Sequence, residues 1–277
     1  MQIPSTMPRL LAHLAIGVCA VFLPLSVCAA AAPPPTITKG QLTVAYRTDD
    51  KPISFIQNGT PAGFLVDFEQ AIGVQLGLKV QFVSTGFASM LPAVKNHIYD
   101  TAAFAVIVTP QRSAMVDFTT PIGYGQARLV TRAKDPIATV QAAAGKVVAV
   151  TQGSALIPLL AHIAPGVQVK EFPNVASSLN ALIAGQVDGL FTGLATADSL
   201  VKKHPGLGES QIVTSGVTEF PISKSNPALR EAMNVAIAHL MKDGTFTKLF
   251  VKWNPPAVRI PAELYADYPG MPQQPAE

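Results

Sequence analysis

Cysteine is nearly absent. The 277-residue chain has two, Cys19 and Cys28, and both fall in one apolar stretch near the N-terminus. With that stretch removed there is no disulfide framework, no thiolate metal site and no cysteine nucleophile. Charge is also sparse, at 13% of residues, and the net +3 includes Arg9. Aromatics make up 7% and the basic residues are scattered, which argues against nucleic acid as a partner. The sequence has no His-Glu-x-x-His, no Gly-x-Ser-x-Gly and no phosphate loop. His97, His162, His204 and His239 are dispersed in helix or helix-end contexts and read as surface or packing residues. Nothing suggests a metal or a cofactor. No second long apolar run follows the N-terminal one, so the rest of the chain is expected to be soluble.

The N-terminal stretch is itself informative. Arg9 precedes the apolar segment Leu10–Val27, then come Cys28 and the small residues Ala29–Ala32, and Pro33-Pro34-Pro35 breaks the run. Residues 1–32 thus read as a secretory signal peptide cleaved after Ala30, Ala31 or Ala32. Leu25-Ser26-Val27-Cys28 approaches a lipobox, but Val27 stands where a small residue is needed, so a lipid anchor on Cys28 is not expected. Roughly 245 residues remain, enough to bury a core without staples.

From Gln41 the pattern alternates strand and helix. Strands are predicted at Leu42–Tyr46, Lys79–Val83 and Thr101–Val108. Helices are predicted over Leu65–Leu76, which Gly77 stops, and over Met90–Lys95. The second half repeats this plan, with strands at Lys146–Thr151, Val167–Phe172 and around Leu190-Phe191. Its helices are Ala155–Ile163 and one that Asn174 caps and Gly185 ends. Such alternation implies βαβ units around largely parallel sheets, an α/β fold. A faint echo links the halves: Leu91-Pro92-Ala93-Val94 precedes Asp100 as Leu179-Asn180-Ala181-Leu182 precedes Asp188, a similarity that chance punctuation also produces. After Gly216 come an amphipathic helix through Leu229, Met233, Ile237 and Leu240, a break at Asp243-Gly244, and a helix over Thr245–Trp253. The Pro-rich tail is expected to lie extended over the surface or loose.

One segment carries chemistry. Thr109-Pro110 ends an apolar strand, because proline cannot donate to a ladder. Arg112 then projects a permanently charged fork suited to a carboxylate. Val116-Asp117-Phe118-Thr119 follows at once. In the second half, Thr151-Gln152-Gly153-Ser154 feeds a strand through a tight turn into a helix start. Such a start offers backbone N–H groups and a positive dipole end to an anion; Ser154 equally suits a simple N-cap.

These segments resemble, in order, those of the periplasmic solute-binding proteins of amino-acid ABC importers. Pro52-Ile53-Ser54-Phe55 and Gly63-Phe64-Leu65-Val66-Asp67 are similar to the family's Pro-Phe-Ser-Tyr and Gly-Tyr-x-Val-Asp. The Arg112 segment is similar to its Thr-Pro-Glu-Arg…Val-Asp-Phe, and Thr151–Ser154 occupies the place of its anion-binding turn. Gly185-Gln186-Val187-Asp188 and Asp243-Gly244-Thr245…Lys252-Trp253 match its last two signatures. The resemblance covers roughly Leu42 to Trp253. It implies a type II fold of two lobes joined by a two-strand hinge near Tyr124 and Val217. Lobe one would be 38–125 and 219–253, lobe two 126–218, with 254–277 a tail. A small carboxylate, an amino acid or related organic acid, would bind between the lobes of a periplasmic monomer that serves an inner-membrane ABC permease.

The resemblance also assigns roles. Arg112 inherits the grip on the ligand carboxylate, and Ser154 with Gly153 a second contact. Arg47 either grips a further carboxylate or pairs with Asp49 or Asp50. Phe104 and Ile107 fall where the family lines its cleft, although Phe104 and Tyr46 equally suit a lobe core. Two departures stand out. Phe104-Ala105-Val106-Ile107 lacks the usual hydroxyls, and Gly193 replaces the aspartate that holds a ligand ammonium. Asp198 or Glu219 would have to take over, or the ligand lacks an ammonium. Some proteins of this fold are enzymes, the cyclohexadienyl dehydratases among them. For that role Glu219 is the one acid to nominate, and a free-standing sensor is a third reading.

Overall fold

The strand Gln41–Tyr46 is the middle of a three-stranded parallel sheet, between Lys79–Ser84 and Thr101–Ala103. Parallel neighbours need crossovers, and α1 (Phe64–Gln75) and α2 (Phe87–Lys95) supply them. Covered on both faces, the strand buries Leu42, Val44 and Ala45 completely. Phe68 and Ile72, one turn apart on α1, are likewise fully buried. Gly77 ends α1 in the left-handed region, at φ 66°. The N–H groups of Gly77 and Leu78 return to the carbonyls of Val74 and Gly73, which satisfies the last turn.

The computed structural model describes residues 1, 2 and 33–275. The predicted signal segment, with its apolar run and both cysteines, lies outside the described residues.

A second sheet, of seven strands, runs Gln168–Phe172, Val147–Thr151, Gly189–Gly193, Gly123–Arg132, Val213–Glu219 and Val106–Ile107, with Leu207–Glu209 also on Gly123–Arg132. The first three are parallel. They are joined by α4 (Leu156–Ile163) and α5 (Val175–Ile183), and α6 (Leu194–Lys203) follows the third. The long strands Gly123–Arg132 and Val213–Glu219 run antiparallel, with Val217 opposite Tyr124. This is the two-strand hinge.

The echo between the halves proves structural. Asp100 donates its N–H to the Thr43 carbonyl while its Oδ2 accepts the Thr43 N–H at 2.8 Å. Asp188 does the same to Val147, its Oδ2 accepting the N–H at 2.9 Å. In each lobe one aspartate clamps the start of the central strand.

Two predicted elements need correction. The run Thr101–Val108 is not one strand. It breaks at Phe104-Ala105, where Phe104 N–H bonds to Ala102 O and Val106 N–H to Phe104 O. Thr101–Ala103 stays in the first sheet and Val106–Ile107 joins the second. The tail is not loose either. Val258, Ile260, Leu264 and Met271 are buried, and α9 (Ala262–Asp267) forms within it. Tyr268 Oη donates to Pro121 O at 2.7 Å, where the chain enters the hinge. Prolines set the tail's path, but its spaced apolar residues decide that it docks. Before it, α7 (Pro227–Lys242) and α8 (Thr245–Trp253) pack on the first lobe along the predicted stripe. Between the strand Val106–Ile107 and the hinge lies α3 (Pro110–Met115).

Candidate functional site

α3 begins as its sequence dictates. Pro110 occupies the first turn, where its missing N–H costs nothing, and Thr109 caps the helix through the Arg112 N–H. This fixes Arg112 one turn past the strand end with its side chain turned inward. Its guanidinium is buried. Nη1 donates to Ile107 O at 2.6 Å and Nη2 to Gly153 O at 3.0 Å, the second bond crossing between the lobes. The ring of Phe87 lies under it, 5.5 Å from Cζ. Burial pulls its pKa down to about 10, so it stays a cation at neutral pH. Among the described residues no carboxylate pairs with it. A buried, uncompensated cation is costly, and a carboxylate is the group that would relieve it.

Arg112 lines a cavity of about 200 Å³ between the lobes. Arg47, Asp50 and Ile107 line it from the first lobe, Thr151, Ser154 and the segment 191–196 from the second, and residues 122–126 with Ser215 and Thr218 from the hinge. Ser154 lines the cavity, and its Oγ accepts the Leu156 N–H at 3.2 Å. The N-cap of α4 is Ala155, one residue later, so Ser154 is not the simple cap that its sequence allowed.

Arg47 takes the pairing alternative. It meets Asp49 at 3.2 Å and Asp50 at 3.3 Å. The two aspartates then reach across the cleft. Asp49 Oδ2 accepts the Ala176 N–H in the first turn of α5 at 3.3 Å, and Asp50 Oδ1 accepts from Thr196 Oγ1 at 2.7 Å. Arg47 therefore steadies an interlobe clasp while it lines the cavity.

Phe104 does not line the cavity. The break in its strand turns it into the first-lobe core, where it packs on Phe87. Tyr46 is core as well. Gly153 lies at the interlobe seam and not on the cavity wall. Its φ is 74°, and a Cβ there would sit 3.2 Å from Ala88 Cα across the seam. With that contact and a left-handed backbone that other residues rarely adopt, glycine suits the approach, which also brings its carbonyl to Arg112.

Gly193 does line the cavity, with room for a side chain: the nearest atom to an added Cβ is Gln126 O at 3.9 Å. Neither proposed substitute for an aspartate there is in place. Asp198 is engaged by Arg128 at 3.0 Å, and Glu219 does not line the cavity. Burial and the nearby Asp267 push the Glu219 carboxyl up to about 7. The acid that lines the cavity is Asp50. None of the four histidines named above lines it.

Sequence reasoning missed Phe87, Thr192, Ser215 and Thr218 as lining residues, and saw in Asp50 only a partner for Arg47. The hydroxyls absent from 104–107 are supplied instead by the second lobe and the hinge. Phe87 escaped because α2 begins three residues earlier than its apolar spacing suggested.

Known proteins share the family and the fold. The chain is 28% identical over 207 residues to ABC transporter arginine-binding protein 1 of Escherichia coli K12, covering 72% of this chain and 84% of that one. Among solved structures, an ancestral arginine-binding protein bound to glutamine superposes with a TM-score of 0.73 at 32% identity, over 78% of this chain and 98% of that one. The ancestral amino acid-binding protein AncCDT-1, a precursor of cyclohexadienyl dehydratase, superposes with a TM-score of 0.72 at 27% identity, over 78% and 96%. The fold is thus the type II arrangement of two α/β lobes on a two-strand hinge. The sequence profile that matches residues 42–256 is that of the bacterial extracellular solute-binding proteins, family 3, and this chain belongs to that family.

Proposed function

We propose that the protein captures a small carboxylate-bearing solute, an amino acid or related organic acid, between its lobes and delivers it to an inner-membrane ABC permease. The observation that carries this reading is Arg112: a buried cation in an interlobe cavity, bonded only to carbonyl oxygens. A carboxylate there would gain charge-assisted bonds from the guanidinium. Ser154, on the opposite lobe, would add a hydroxyl contact, so one ligand group would engage both lobes. The bodies that close would be 38–125 with 219–253 on one side and 126–218 on the other. Export would follow cleavage of 1–32, and the protein would act as a periplasmic monomer.

Binding without turnover is the reading the site supports. A dehydratase needs a positioned acid in the cleft. Asp50 is held by Arg47 and Thr196, and Glu219 stands off the wall. Thermal-shift titration with amino acids, 2-oxo acids and dicarboxylates tests the proposal. Saturation at a hundredfold excess over the dissociation constant adds about 2.7 kcal/mol. Prephenate in the same panel, assayed for product, separates binder from enzyme. No shift with any carboxylate would sink the proposal.

A further inference from the structure

The start of α6 opens onto the cavity without a cap. Gly193 holds the N-cap position and offers no side chain, and Gly193, Leu194, Ala195 and Thr196 all line the wall. The first N–H groups of a helix have no partner within it, and its N-terminus is the positive end of the dipole. Arg112 is the independent sign of an anionic ligand, since its buried guanidinium lines the same cavity and bonds only to carbonyls. The two meet at one corner of the cleft. Arg112 Nη2 holds Gly153 O, just past the strand Val147–Thr151, which runs parallel to Gly189–Gly193 with Ala149 opposite Leu190. That register carried forward sets Thr151 beside Thr192, and both line the cavity. Neighbouring strands lie about 4.8 Å apart, so the start of α6 stands about one strand over from the carbonyl that Arg112 grips. A carboxylate held at Arg112 thus has the N–H groups of α6 within reach of a substituent on its neighbouring carbon.

What faces that substituent decides what it can be. An ammonium buried without a carboxylate partner is costly. Among the described residues Asp50 is the acid on the cavity wall, and each of its oxygens is already bonded, Oδ2 to Arg47 at 3.3 Å and Oδ1 to Thr196 at 2.7 Å. The N–H groups of α6 would repel an ammonium and donate to an oxygen. The backbone does not demand glycine at 193. Its φ of −60° and ψ of 147° are extended values that any residue adopts, and an added Cβ would come no nearer than 3.9 Å to an atom beyond its chain neighbours. An acid would fit there, and this chain does not have one.

We propose that the solute carries an oxygen on its second carbon in place of an ammonium, as 2-oxo and 2-hydroxy acids do, and that Gly193 sets this preference by leaving the start of α6 bare. This rests on the solute-binding reading above. The test is calorimetric titration of the purified protein with matched sets that differ only at that carbon: pyruvate, L-lactate and L-alanine; phenylpyruvate, L-phenyllactate and L-phenylalanine; 2-oxoglutarate, L-2-hydroxyglutarate and L-glutamate. In the set that binds most tightly, the oxo or hydroxy acid should exceed its amino acid by at least about tenfold in affinity. An amino acid binding as tightly as its partners would overturn the proposal and leave the carboxylate reading standing. Failure of every compound to bind would remove both. Gly193→Asp, checked for folding by thermal melts, then supplies the missing acid. It should raise affinity for the amino acid of that set about tenfold or more and weaken the oxo acid. Gly193→Asn caps the helix without a charge and should bring no such gain. Equal gains from both variants, or none from Gly193→Asp, would show that Gly193 does not set the preference.

Discussion

Arg112 can be tested against its own structural alternative, because the two readings predict opposite patterns. In Arg112→Ala the ligand loses a buried charge partner, and removal of one member of such a pair costs about 2–5 kcal/mol. At 1.4 kcal/mol per decade that is about thirty-fold to several thousand-fold in affinity. The unliganded protein should respond differently. It loses two hydrogen bonds to carbonyls, at 2.6 and 3.0 Å, but also sheds a desolvated cation with no carboxylate partner. Those effects oppose one another, so the unliganded midpoint should move little. Arg112→Lys keeps the charge and loses the fork that spans Ile107 and Gly153, so its affinity should lie near that of alanine. The assay is isothermal titration of wild type and both variants, paired with denaturant melts without ligand. A large loss of stability with near-normal affinity would refute the reasoning and make Arg112 a helix-to-strand brace.

Three further outcomes follow. Glu69 is fully buried beside Thr101, and burial pushes its carboxyl up to about 8. A folded-state pKa above the unfolded one means the native form holds a proton that the unfolded form releases. Wild-type stability should therefore fall as pH rises from about 4.5 to 8, and in Glu69→Gln that fall should shrink, as urea melts at several pH values will record; parallel pH profiles would contradict the assignment. Asp50→Ala removes the bonds to Thr196 and Arg47, so the lobes should open further without ligand, which small-angle scattering would register as a larger radius of gyration. Gly153→Ala combines a left-handed backbone with a Cβ 3.2 Å from Ala88, and ligand affinity should drop by about tenfold or more while the separate lobes keep their secondary structure by circular dichroism.

What could be read from the sequence was local. The stop at Gly77, the cap at Asn174, the helix Thr245–Trp253 and the stripe of α7 depend on neighbours within a turn or two, and the structure has each of them. Arg112 was legible for the same reason: a strand end, a proline and a cap fix its direction without help from elsewhere. Phe104 was misplaced because the break behind it is tertiary. The two halves of its run are claimed by different sheets, and alternation along one strand holds no trace of that. Asp50 was noted as a partner for Arg47, but its second bond is to Thr196, 146 residues away. The tail was judged by its prolines, whereas four buried apolar side chains, Val258, Ile260, Leu264 and Met271, decide its course.

On the proposed reading, the polar contacts between the lobes bear on why closure would wait for a ligand. Asp49 to Ala176, Asp50 to Thr196 and Arg112 to Gly153 all favour the closed form. Unopposed, they would close the cleft over water, and a ligand with equal affinity for both forms could shift nothing. Arg112 opposes them. If the lobes open away from Gly153, the guanidinium, which here donates to two neutral carbonyls, would regain water, so the closed form would carry a desolvation cost that an open form would escape. A carboxylate would cancel that cost only where the guanidinium is buried and Ser154 is near, which would be in the closed form. On the proposed reading, Arg112 would thereby both bind the ligand and set the differential affinity that closure requires.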